Sequence, residues 1–196
     1  MTVAAVSPAQ AYRLHTHGPT VLVTSTSGNQ RNIMAAAWNM PLDFDPPKIA
    51  VVIDKNTYTR ELIEASGQFA ISIPCRAQAA MVKQVGSCSG REWQTTPQAD
   101  KFAAFGIETF AASHIDAPLV TGCVGWLECK IIPEPHIQDT YDLFLAEVVA
   151  TWADDRVFSQ HNDGEFRWRF EGHDELRTLH HVAGGAFMAI GEAFKA

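Results

Sequence analysis

Asn56, Thr57, Tyr58, Thr59 and Arg60 follow one another, and hydroxyls and a guanidinium at the start of an expected helix suit a phosphate. The unpaired N–H groups and dipole of a helix N-terminus attract an anion, and arginine can grip it with two parallel hydrogen bonds. The run reads equally well as a plain helix cap with a solvated arginine. A second basic stretch, "SCSGREWQTTPQADKF", offers Ser89, Arg91 and Lys101 to the same anion. Upstream, "NIMAAAWNM" sets Ala35, Ala36 and Ala37 between Asn32 and Trp38. Side chains this small leave room for a flat ligand near the backbone, whose N–H groups at a strand end can donate to carbonyl oxygens and ring nitrogens. They would also suit a crowded core.

The elements around these residues read mostly as strands. "PTVLVTSTS" is the first; Ser27-Gly28-Asn29 is turn chemistry, and "RNIMAAAWNM" resumes as its hairpin partner. "DPPKIAVVID" starts a strand after Pro46-Pro47. A short helix is expected from Thr59 as N-cap, with Leu62 and Ile63 on its apolar face and Gly67 at its end. "QFAISIP" alternates Phe69, Ile71 and Ile73, as a half-buried strand does. "RAQAAMVKQVGSCSG" reads as a helix ending near Gly86, followed by a polar loop entering a short helical turn. The second half is again strand: "ETFAASHI", "GCVGWLECKIIPEP" and "DTYDLFLAEVVATWAD", then a turn at Asp154-Asp155-Arg156 and "RVFSQHNDGEFRW". No internal repeat or linker interrupts the chain, so residues 1–196 are expected to form one domain. Frequent strands with a few inserted helices predict a mainly β fold, a barrel of antiparallel strands with helical excursions.

With 46% hydrophobic and 19% charged residues over 196 positions, the chain can bury a sizeable core. A net charge of -7 argues against general affinity for nucleic acid or anionic membrane. No apolar run spans a bilayer, and "MTVAAVSPAQAYRLHTHG" lacks the pattern of a signal peptide; a cytoplasmic location is expected. Cys75, Cys88, Cys123 and Cys129 contain no Cys-x-x-Cys pair, so reduced, mostly buried thiols are expected rather than a zinc site. Cys88, nearest the basic loop, is expected to be inert. His180 and His181 would point to opposite faces of a strand, which disfavours a shared metal, although either could border a ligand beside Gly184 and Gly185. Trp126, Trp152 and Trp168 read as core; Trp93, after "SGRE", could lie over a ligand.

The ordered set "TS…NIMAAAW…DPPKIAVVI…YT…G.FAISIP…SGRE…DKF" resembles the flavin reductase-like family of FMN-binding split barrels, which includes flavoredoxins. It runs from about Thr20 to Ala150, with a tail match at "HHVAGGAFMAIGE". The resemblance implies a six-stranded split β-barrel of the FMN-binding type, usually a homodimer, holding FMN without a covalent bond near the subunit interface. Asn32, Met34, Ala35, Ala36, Ala37 and Trp38 would border the flavin ring. Asp54, Thr57, Thr59 and Arg60 would lie at the ribityl-phosphate end, with Ser89, Arg91 and Lys101 closing over it.

The implied activity is transfer of hydride from NADH or NADPH to FMN, with an unspecified electron acceptor downstream; a flavoredoxin-like carrier exchanging electrons with a protein is the alternative, and a barrel repurposed for another planar or phosphorylated ligand a third. No side chain need act as acid or base in hydride transfer, so no catalytic residue is assigned. The family often has a Gly-Asp-His-like triplet before a strand carrying glycine, whereas this chain has Asp139-Thr140-Tyr141-Asp142 and Ala146. Tyr141 or Asp142 would have to replace the histidine if it touches flavin or nicotinamide.

Overall fold

The computed structural model describes residues 18–93 and 100–194. The N-terminal stretch and part of the "REWQTTPQADKF" loop lie outside them. A seven-stranded antiparallel sheet has the order β2-β1-β5-β8-β9-β4-β3. Its strands are β1 (Val21–Ser27), β2 (Gln30–Ala36), β3 (Asn39–Phe44), β4 (Pro47–Val52), β5 (Gln68–Ile73), β8 (Gly125–Ile132) and β9 (Leu143–Ala153). Short hairpins complete the β content: β6 (Thr109–Phe110) with β7 (Leu119–Val120), β10 (Phe158–Gln160) with β11 (Phe166–Trp168), and β12 (Leu179–Ala183) with β13 (Ala186–Ala189). Among the described residues four α-helices are inserted: α1 (Tyr58–Ser66), α2 (Ala79–Gly86), α3 (Lys101–Phe105) and α4 (Pro135–Tyr141).

The mainly β expectation holds. The seven strands do not close into a barrel, because β2 and β3 form the two edges of the sheet. One core cluster nevertheless joins Val21 and Val23 of β1, Ala36 of β2, Ile49 and Val51 of β4, Phe69 and Ile71 of β5, and Phe144 of β9. Strands from near both edges thus share one interior, so the sheet curls around it. Each such Phe, Ile or Val contributes about 1.5–3 kcal/mol through burial.

The β1–β2 hairpin forms as expected, with Ser27 opposite Gln30. The chain then breaks at Ala37–Trp38 and crosses to the far edge as β3, which periodicity had merged with β2. Helix α1 starts two residues earlier than expected: Thr57, not Thr59, is the N-cap, its Oγ1 accepting Arg60 N at 3.3 Å. Gly67 closes the helix in the left-handed conformation.

β5 is buried on both faces rather than one. Phe69 and Ile71 face the main core, while Ala70 packs with Ile115, Ala117 and Leu119 and Ser72 Oγ accepts Val120 N at 3.2 Å. The segment expected as a strand at "ETFAASHI" pairs only at Thr109 and Phe110. Beyond them, Ser113 N and His114 N donate to the buried Glu128 carboxylate at 3.0 and 2.7 Å instead of to a ladder. The start of "DTYDLFLAEVV" likewise belongs to α4, which opens on Pro135 and ends at Asp142 with φ 55°; proline fits the first helical turn because no N–H is needed there.

Candidate functional site

Two adjoining cavities lie between β2 and α2. The apolar one, about 330 Å³, has Ala35, Ala36 and Ala37 as its floor and Val82, Lys83, His181, Gly184, Gly185 and Phe187 among its walls. The polar one, about 370 Å³, is bordered by Asn32, Met34, Thr57, Thr59, Ser89 and Lys101 among others. Ala35, Gly86 and Ser87 line both, so they form one groove. Its neck is narrow, since a Cβ placed on Gly86 would lie 3.5 Å from Ala35 Cβ. Each half falls within the size of ordinary small-ligand sites.

At the polar end, Lys101 is 2% exposed, and its ammonium donates to Ile33 O at 3.1 Å and Val85 O at 2.8 Å. An ammonium carries three donors, so one proton remains for a ligand. Burial pushes the Lys101 pKa down, against the weaker upward pull of Cys88 and Glu92; an incoming anion would favour the charged form. Beside it Asn32, 3% exposed, donates from Nδ2 to Thr59 Oγ1 at 2.8 Å, while its buried Oδ1 has no partner among the described residues. A buried amide oxygen without a donor is costly, and this one borders the cavity. Gly90 permits that placement: a Cβ there would sit 2.2 Å from Asn32 Oδ1.

The structure thus brings Asn32, Met34, Ala35, Thr57, Thr59, Ser89 and Lys101 to the polar half, and Ala35, Ala36 and Ala37 to the apolar half. Four expected residues lie elsewhere. Arg60 turns away from the cavity: it donates to Glu64 at 2.6 Å, Asp142 at 2.5 Å and the carbonyl of Gln138 at 3.1 Å. Asp54 is spent on Asn56 N at 2.7 Å, and Arg91 forms an ion pair with Glu61. Trp38 lines a separate apolar hollow with Met40, Leu42 and Leu143. Tyr141 and Asp142 border neither half of the groove; Tyr141 is exposed and Asp142 holds Arg60.

Sequence reasoning passed over Thr20, Lys83, Gly86 and Phe187. No local motif marks them: Lys83 occupies an exposed helical position, and Phe187 reaches the groove only because the β12–β13 hairpin docks on the start of β1, where Thr20 N donates to Leu179 O at 2.8 Å. His181 lines the apolar half, as its neighbouring glycines had suggested. Among the described residues no cluster of three or more metal-ligating side chains is present, and no helix is long and apolar enough to cross a membrane. Cys75, Cys88, Cys123 and Cys129 are all free thiols; Cys88 alone is not buried.

An antiparallel sheet is thus flanked by a groove with a small-residue floor and a polar end that holds the Lys101 ammonium. The chain belongs to the flavin reductase-like domain family, whose model matches residues 13–169. It is 45% identical over 185 residues to the Escherichia coli protein YddH, covering 93% of this chain and 92% of that one. Among solved structures, an FMN-binding domain of a flavin reductases-like enzyme from Shewanella baltica is 49% identical with a TM-score of 0.82, covering 100% of this chain and 97% of that one. Flavoredoxin of Desulfovibrio vulgaris is 28% identical with a TM-score of 0.79, over 100% and 97%.

Proposed function

We propose that the groove holds FMN and that the protein is an oxidoreductase of the flavin reductase type, taking hydride from NADH or NADPH. The observation that carries this reading is the junction of an alanine-floored slot with a polar end that holds a buried, incompletely bonded ammonium and an amide oxygen without a donor. Likeness to FMN-binding relatives supports it.

When bound, FMN supplies the redox chemistry. The chain's residues bind and orient it. Ala35, Ala36 and Ala37 leave thickness for the ring; Lys101, Ser89 and the α1 N-terminus meet the phosphate. Asn32 Oδ1, buried without a donor, would accept from a hydroxyl of the cofactor. With Arg60 and Arg91 paired internally, Lys101 carries the cationic part of that task.

The carrier reading is favoured by one observation, the likeness to a flavoredoxin at TM-score 0.79. In either reading we propose a cytoplasmic homodimer. Trp38, Met40, Leu42 and Phe44 are all exposed on or beside edge strand β3, Phe44 at 92%, an apolar strip that a second copy would cover.

Absorbance spectra of the purified protein, before and after anaerobic NADH and then NADPH, test the assignment. Bleaching of a yellow protein by one of them supports the reductase and identifies its donor. A yellow protein that neither bleaches supports the carrier, and a protein that stays colourless after soaking in FMN overturns both. Lys101→Met should weaken FMN binding at least about tenfold, the loss of one charge-assisted hydrogen bond.

A further inference from the structure

Four polar side chains line the apolar half of the groove: Thr20, Lys83, Ser87 and His181. Two are engaged locally, Thr20 Oγ1 accepting His181 N at 2.8 Å and Ser87 Oγ donating to Lys83 O at 2.5 Å. The His181 ring stands edge-on to Phe187, with centroids 5.5 Å apart. Lys83 is different. Among the described residues its ammonium meets no carboxylate or carbonyl, so the slot has a positive charge without an internal partner.

The lysine stem is fitted to the turn of the tail hairpin. A Cβ on Gly185 would lie 2.8 Å from Lys83 Cε and 3.0 Å from Cδ, so the stem crosses a bare α-carbon. Gly185 also has φ +86°, a conformation that only glycine adopts readily. Two segments a hundred residues apart therefore meet at the wall of the slot, the end of the Lys83 side chain against Gly185.

We propose that Lys83 sets the reduction potential of the flavin in this groove, an inference that rests on FMN occupying it. Two electrons and one proton added to the ring leave one negative charge on it. A cation beside the ring stabilises that reduced form over the oxidised one. The bound ring also displaces water from the ammonium and so strengthens the attraction.

The experiment measures the affinity of wild type, Lys83→Met, Lys83→Arg and Gly185→Ala for oxidised FMN, then the potential of each complex under dithionite against a redox dye, with sulfite as the oxidised product. Lys83→Met should bind oxidised FMN within about threefold of wild type but lose about tenfold of its preference for the reduced form. That is a potential about 30 mV lower for a two-electron couple. Lys83→Arg should keep the wild-type potential, and Gly185→Ala, checked for folding by circular dichroism, should move toward Lys83→Met. An unchanged potential in Lys83→Met, or equal loss of affinity for both redox states, overturns the inference while leaving FMN binding intact. Failure of wild type to bind FMN overturns both. If Gly185→Ala does not fold, the two Lys83 variants decide.

Discussion

Arg60 Nη1 donates to Asp142 Oδ1 at 2.5 Å across 82 residues of sequence, tying the first turn of α1 to the residue that ends α4. Arg60 is 5% exposed, and its guanidinium also bonds Glu64 and the carbonyl of Gln138. Arg60→Ala should lower stability by about 2–4 kcal/mol, since removing one member leaves its partners without compensation while their partial exposure softens the loss. Urea unfolding measures this. FMN affinity of the folded fraction should change less than threefold; a larger drop with unchanged stability would return Arg60 to the ligand.

Glu128 is sealed from solvent, its carboxylate held by Ser113 N, His114 N and Trp152 Nε1. Burial alone would raise its pKa, but the backbone donors and the indole outweigh burial and hold it below the ordinary glutamate value. A depressed carboxylate stabilises the fold above its unfolded pKa, and that contribution disappears as pH falls through the folded one. Wild type should therefore lose stability below about pH 4.3. Glu128→Gln should cost about 1–3 kcal/mol at pH 7, by turning an amide donor toward backbone donors, and should flatten the acid limb of a melting-temperature profile.

Gly90 decides where Asn32 can sit. A Cβ on Gly90 would come within 2.7 Å of Asn32 Cγ and 2.9 Å of Tyr58 Cδ1, so Gly90→Ala must displace the amide that borders the polar cavity. We expect a loss of about 1–3 kcal/mol in stability from overpacking, together with at least tenfold weaker FMN binding by fluorescence titration. Asn32→Ala should weaken FMN to a similar degree, and the double variant should cost little more than either alone.

The apolar strip along β3 should govern assembly. Phe44→Asp combined with Met40→Asp should convert a dimer into a folded monomer in light scattering, because both side chains are exposed in the single chain and the substitutions leave its core untouched. A variant pair with wild-type mass would place the subunit contact elsewhere.

Features set by neighbours in sequence were legible in advance. The Ser27-Gly28-Asn29 turn, the left-handed Gly67 cap and the alternating face of Phe69 and Ile71 all follow from local chemistry, and of the residues expected at an anion Thr59, Ser89 and Lys101 border one cavity while Arg60 and Arg91 do not. What escaped depended on distant contacts. The partner that claims Arg60 is 82 residues away, and a guanidinium beside a helix N-terminus looks the same in sequence whether it faces ligand or carboxylate. Nothing local marks Lys83, which meets Gly185 only through the tail hairpin. The outer face of β5 is covered by residues 115–120, which no periodicity in β5 itself could announce.

The division of the groove has a consequence for how this scaffold can diversify. Every residue named for the phosphate end falls within positions 13–169, the span matched by the family model, whereas His181, Gly184, Gly185 and Phe187 of the apolar wall lie beyond it. The hairpin that packs against the Lys83 stem is thus encoded in a stretch of chain separable from the residues of the polar end. On the proposed FMN reading, grafting a different tail would change the environment of the ring while leaving the residues of the polar end unchanged.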